Sequence, residues 1–256
     1  MKTVALSPSL PAASRLAYGC WRLAERDAKP GAGRLAVLAA VEAGYTLFDH
    51  ADIYCDGEAE KVFGELLKEI PSLRARLLLA TKCGIRKAGE PSPDSPYRYD
   101  FSADYIIRSC EGSLRRLGVE TIDLYQLHRP DFLMDPAEVA GAFEQLRQSG
   151  KAREFGVSNF KPSQLAALQS ACPMRLVVNQ VEISLANLTS FDDGTLDQCL
   201  SESVTPMAWS PLAGGKLGHG PRRLLPAQEG YQTDAVKAVL DVMAKRRGVE
   251  IGRAHV

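Results

Sequence analysis

The sequence predicts an α/β protein, a (β/α)8 barrel, on three observations. Short apolar runs of strand character alternate with longer segments of helical spacing. Six of the seven runs end in a polar residue. No linker or shift in composition interrupts the repeat, so one domain is expected over residues 1–249. Strand followed by helix, repeated, implies parallel pairing with helical crossovers, and seven such units suit a closed barrel better than an open sheet.

The strand candidates in order are RLAYG (15–19), YTLFD (45–49), RLLLATK (76–82), IDLYQLH (122–128), EFGVSN (154–159), LVVNQ (176–180) and TPMAWS (205–210). Between them, RLAVLAAVEAG closes on Gly44, a C-terminal capping glycine. AEKVFGELLKEI sets Val62, Leu66 and Ile70 on one face, with Phe63 and Leu67 beside them. DYIIRSCEGSLRRLG ends at a glycine, as does DPAEVAGAFEQLRQSG, which opens with Asp135 as N-cap and Pro136 at the first helical position. The segment 84–104, rich in proline and charge, breaks the rhythm after a strand end, where long insertions carry function or wall a site.

Composition removes several function classes. Lysine plus arginine equals aspartate plus glutamate at 31 each, so no bulk charge favours nucleic acid or an anionic membrane. No apolar run approaches the roughly 20 residues that cross a bilayer. The first residues read as mature protein. Six dispersed cysteines without a C-x-x-C pair read as reduced thiols in a cytoplasmic protein. Four scattered histidines offer no paired-ligand spacing, so no metal site is expected. GAGRLA (31–36) matches a dinucleotide fingerprint in letters only, because charged AERDAKP precedes it where a buried strand is needed; it reads as a helix start. GGKL lacks the spacing of a phosphate-binding loop.

The polar strand ends are Asp49, Lys82, His128, Ser158 with Asn159, Asn179 with Gln180, and Ser210. In a parallel barrel they share one rim, where barrel enzymes keep their active sites. Lys82, after LLLAT, brings a desolvated cation to that rim and needs an anion, which Asp49 can supply. Tyr54 lies five residues beyond Asp49, near enough for its hydroxyl to return over the rim. A neighbouring ammonium is expected to pull the tyrosine pKa down from about 10. A phenol so tuned can protonate a developing alkoxide, with His128 orienting the carbonyl or sharing the proton.

GYTLFDHADIY…GEAEKVFGELL, LATKCGI, IDLYQLHRPD, FGVSNF, NQVEIS and AWSPLAGGKL, in this order from about Leu16 to Leu217, resemble the aldo-keto reductases, and among them the bacterial YdhF-like oxidoreductase subgroup. The resemblance implies a (β/α)8 barrel that reduces carbonyls with NADP(H) and without metal. It implies a tetrad of Asp49, Tyr54, Lys82 and His128, with Tyr54 as general acid. It also implies that Ser158, Asn159 and Gln180 hold the nicotinamide carboxamide, that Trp209 stacks on its ring, and that Ser210, Leu212, Gly214 and Gly215 line the pyrophosphate. NADP rather than NAD follows from family habit alone. A non-catalytic NADP(H)-binding subunit of the same fold is the second reading, and a metal-dependent barrel hydrolase the third.

Some residues stay open at this level. His50 stands where several family members have threonine, and it either lines the site or packs. Trp21, Tyr97, Tyr99 and Phe101 either wall the pocket or pack. Cys55 and Cys83 read as ordinary loop and packing residues, and His219 as solvated. Relative to the family pattern, the eighth strand and its flanking helices are missing after TDAVKAVLDVMAKRRG, so about seven of eight strands are expected and the chain reads as a fragment. EIGRAHV (250–256) matches the in-frame translation of a sequencing-adapter oligonucleotide and is expected to be a non-native tail.

Overall fold

The computed structural model describes residues 1–25, 29, 31–219 and 224–251. Of the tail read as adapter-derived, all but Glu250 and Ile251 lies outside the described residues. The chain divides into two compact units, 1–179 and 180–256. The division falls inside a strand, which is why no linker marks it in the sequence.

The first unit opens with an antiparallel pair, β1 (Thr3–Val4) and β2 (Ala13–Ser14). There follow β3 (Tyr18–Gly19), α1 (Ala32–Glu42), β4 (Leu47–Asp49), α2 (Glu58–Glu69) and β5 (Leu78–Cys83). A small antiparallel pair, β6 (Ile85–Arg86) and β7 (Arg98–Tyr99), stands within the long loop after β5. The unit continues with α3 (Ala103–Leu117), β8 (Ile122–Leu127), α4 (Pro136–Gln148), β9 (Ala152–Ser158), α5 (Pro162–Ala171) and the first residues of β10 (Leu176–Glu182). Strands β3, β4, β5, β8 and β9 pair in parallel in that order, and β10 follows β9. All seven strand candidates are present, with ends moved by up to three residues. The GAGRLA segment is a helix start, with Gly31 before α1 at φ 77°.

Why these segments fold so is visible in their side chains. Every residue of β5 and of β8 is buried, as strands covered on both faces require. Helix α2 buries Ala59, Phe63, Leu66 and Leu67, spaced three and four apart, against Phe48, Leu79 and Leu117. Helix α4 is capped by Asp135, whose carboxylate accepts from the Ala137 and Glu138 amides. Alternation along β5 and β8 sends side chains two ways. Thr81 bonds Glu60 of α2 and Tyr125 bonds the Ile106 carbonyl of α3, while Lys82 turns to the opposite face and meets Asp49.

The second unit holds the end of β10, α6 (Thr189–Asp192), α7 (Thr195–Ser201), β11 (Thr205–Trp209), α8 (Pro226–Glu229) and α9 (Asp234–Arg247). Strand β11 lies beside β10 in the strand order. Gln228 of α8 bonds both Glu182 and Ser210. No helix among the described residues is long and apolar enough to cross a membrane.

Candidate active site

The first unit brings the four tetrad candidates together. Asp49 ends β4, Lys82 is the penultimate residue of β5, and His128 follows β8 directly. Their strands are neighbours in register, so three C-terminal ends converge without any loop needing to reach. Tyr54 comes from the loop after β4 and opens a tight turn, Tyr54–Gly57.

Lys82 Nζ lies 2.8 Å from each Asp49 carboxylate oxygen, 2.8 Å from the His50 carbonyl and 3.3 Å from the Tyr54 hydroxyl. An ammonium only donates, so the Tyr54 oxygen accepts and its own proton is directed elsewhere. The Tyr54 and His128 rings meet edge to face at 5.7 Å. His128 is anchored through its backbone amide to the Cys83 carbonyl.

The electrostatics differ in one respect from the sequence expectation. The Tyr54 pKa is raised, not lowered: burial pushes it up, and the opposing pull of Lys82 does not cancel that. Burial depth is a property of the assembled site and leaves no mark in the local sequence. For Lys82, burial acts to lower the pKa, but the Asp49 carboxylate, Tyr54 and the hydrogen bonds to both hold it above its ordinary value. His128 is driven well below the ordinary imidazole range by burial, then by the Lys82 and Arg129 charges, so it is neutral near pH 7. The site therefore contains a charged lysine, a protonated phenol and a neutral imidazole.

Ser158 ends β9, beside the strand of His128, and Asn159 follows it at φ 63°. The Asn159 amide donates to Ser158 Oγ at 2.8 Å and to the His128 carbonyl at 3.3 Å. Asn179 donates to the Phe160 carbonyl, just past the end of β9, at 2.9 Å. In the second unit, Gln180 lies on β10 and Trp209 ends β11. Ser210 Oγ accepts from the Gly214 amide at 3.0 Å, and Leu212 precedes the turn Ala213–Gly215, in which Gly214 and Gly215 both have positive φ.

His50 does not line the site. Its ring is fully buried against Phe63 at 4.7 Å, and burial followed by the Lys82 charge lowers its pKa to about 3. Phe101 is core, stacked on Phe160 at 6.3 Å, whereas Tyr97 is exposed. Cys83 is buried, Cys55 is partly exposed, and all six cysteines are free. Among the described residues no group of three or more histidine, cysteine or acidic residues is placed to hold a metal ion.

Two features were missed from the sequence. A backbone carbonyl, that of His50, is one of the Lys82 acceptors, and no residue type signals that. Glu60 is buried beside the site and bonds Thr81 and Arg116; its signal was a carboxylate at i, i+3, i+7 spacing with Phe63 and Leu67, on the buried face of α2.

Parallel strands with helical crossovers, carrying a buried lysine, carboxylate, phenol and imidazole at their C-terminal ends, define a barrel oxidoreductase. The Aldo/keto reductase family model matches residues 15–254, and the chain belongs to that family. The chain is 42% identical over 244 residues to the 6-dehydroglucose reductase of Novosphingobium aromaticivorans, covering 93% of this chain and 75% of that protein. It is 45% identical over 218 residues to the oxidoreductase YdhF of Escherichia coli, covering 85% and 72%. Among solved structures, the glycerol dehydrogenase AKR11B4 of Gluconobacter oxydans superposes with a TM-score of 0.82 at 28% identity, covering 97% of this chain and 80% of that one. The fold is thus an incomplete (β/α)8 barrel of the aldo-keto reductase type.

Proposed function

We propose that the protein reduces an aldehyde or ketone to an alcohol with NADP(H), Tyr54 supplying the proton. The observation that carries this reading is the Lys82 ammonium bonded at once to both Asp49 oxygens and to the Tyr54 hydroxyl. With its oxygen accepting from Lys82, Tyr54 keeps its proton for a carbonyl oxygen at the rim. The raised Tyr54 pKa keeps the phenol protonated at neutral pH. As an alkoxide develops and takes the proton, the tyrosinate left behind is met by the adjacent ammonium, which Asp49 holds charged and in place. Neutral His128, edge-on to Tyr54, orients the carbonyl by a hydrogen bond without competing as an acid.

The nicotinamide cofactor supplies hydride when bound. The residues present suit it. Ser158 and Asn159 place hydroxyl and amide groups on the strand next to His128, suited to a carboxamide. In the second unit, Gln180 carries an amide of the kind suited to a carboxamide and Trp209 a ring of the kind suited to stacking. Ser210, Leu212 and Gly214, with Gly215, form a turn that carries no side chain at its two glycines, suited to a phosphate group. The reading includes a small carbonyl substrate, with no nucleic-acid or membrane partner, and a cytoplasmic setting consistent with six free thiols. The relative named 6-dehydroglucose reductase makes oxidised sugars a sensible part of any substrate panel.

The test is Tyr54→Phe assayed for NADPH-dependent carbonyl reduction. A fall in kcat of about 100-fold or more is expected, with cofactor binding retained. Reduction at near-parent rates would remove Tyr54 from its role.

A further inference from the structure

The turn that carries Tyr54 is in an unfavourable conformation. Cys55 (φ 50°, ψ 39°) and Asp56 (φ 58°, ψ 34°) are both left-handed without being glycine, and Gly57 follows at φ 85°. Left-handed backbone is disfavoured for residues with a Cβ, so two such residues in succession persist only if the surroundings fix them. Cys55 packs partly buried against the core, its thiol donating to the Trp21 carbonyl, and the Asp56 carboxylate pairs at the surface with Lys87, whose side chain is 39% exposed.

The firmer restraint lies beneath. Glu60, in the first turn of α2, is fully buried. One of its oxygens accepts from Thr81 Oγ1 at 2.6 Å, the other from Arg116 Nε at 2.7 Å. Thr81 is the residue before Lys82. Arg116, near the end of α3, also donates to Ser113 Oγ at 3.2 Å. Its stem lies directly against the turn: a Cβ placed on Gly57 would come within 3.0 Å of Arg116 Cδ and 3.1 Å of Nε. The Glu60–Arg116 pair thus joins the strand of Lys82, the helix that follows Tyr54, and α3, with the guanidinium stem packed where residue 57 would carry a side chain.

We infer that Glu60 and Arg116 are positioning residues for Tyr54: their ion pair locks the left-handed turn and thereby holds the phenol on the Lys82 ammonium. The inference rests on the reading of Tyr54 as proton donor. Neither residue bonds the reacting groups, so both act through the turn.

Cys55 provides a readout independent of turnover. It lies in the turn and is partly exposed, while the other five thiols are buried. In Glu60→Gln, alkylation of Cys55 is expected to quicken about fivefold or more as the turn opens. kcat for NADPH-dependent carbonyl reduction is expected to fall about tenfold through misplacement of Tyr54. The Kd for NADPH should stay within about twofold, because the cofactor contacts come from other strands. Arg116→Lys keeps the charge but not the fork and should fall between parent and Glu60→Gln on both scales.

A fall in kcat with unchanged Cys55 labelling would overturn the inference, as would faster labelling with unchanged kcat, or no change in either. If Glu60→Gln does not fold, Thr81→Val, which removes one bond to Glu60 and preserves shape, is judged by the same pair of readouts. Tyr54→Phe in the same assay separates the two ideas. Full activity there removes the proton-donor reading. An inactive Tyr54→Phe beside a fully active, slowly labelled Glu60→Gln removes only the positioning role.

Discussion

Asp49 and Asp123 are both buried carboxylates bound to cations, at opposite ends of the two strands that flank β5. Asp49, at the C-terminal end of β4, meets Lys82, and both side chains are sealed, 8% and 2% exposed. Asp123, second in β8, accepts the Leu79 amide at 2.8 Å and meets Arg74 and Arg153, whose side chains are 26% and 51% exposed. At the far end the cations keep their water and the carboxylate serves the backbone of β5. At the rim the cation itself has been taken out of water, which is unfavourable unless it is closely paired. A lysine that gains nothing from solvent and faces a phenol suits the proposed proton-donor reading; an arginine at the surface beside a buried aspartate suits a structural role.

The largest effect that would break this comparison is at Lys82. Lys82→Met leaves Asp49 buried without its cation, so the fold should lose about 3–5 kcal/mol, measured by denaturant unfolding. In whatever fraction folds, reduction should fall about 100-fold or more. Asp52 sharpens the comparison, since it stands near the rim with Glu60's negative charge close by. Burial and then Glu60 push its pKa up to about 7. A carboxyl raised in the folded state contributes stability below its unfolded pKa, near 4, and loses it as pH rises through about 7. Asp52→Asn removes that dependence, so the variant should gain on its parent between pH 4 and 8, by on the order of 3 kcal/mol. Melting curves across that range check the sign: a variant that gains towards low pH contradicts it. The smallest effect is at the far end. Arg153→Ser removes a half-exposed partner while Arg74 remains, so about 0–1 kcal/mol is expected, with kcat unchanged.

Much of this was legible in the sequence for a physical reason. Parallel strands buried on both faces must be apolar runs, so LLLAT and IDLYQL stand out, and a lysine or histidine closing such a run is conspicuous. Strand ends were less legible: Arg15 to Ala17 and Tyr45 to Thr46 look extended but lie outside the pairing of β3 and β4. What the sequence did not carry was depth. The direction of the Tyr54 pKa depends on how far burial outweighs one ammonium, and the role of His50 on which side of β4 its ring falls. The division into two units was hidden because it cuts through LVVNQ, an ordinary apolar strand.

The base of the long loop after β5 is closed like a clasp. Gly84, at φ 111°, lets the Phe101 ring press where a side chain would be; its Cε1 lies 2.2 Å from the position of an added Cβ. The Asp100 amide bonds the Gly84 carbonyl at 3.0 Å, Arg86 bonds Asp100 at 2.8 Å, and β6 pairs with β7. Residues 88–97 are therefore carried on a fixed mount. That base separates residues 88–97 from the strand that bears Lys82, whereas Lys87, paired with Asp56 in the turn after Tyr54, ties the start of the loop to the proposed site.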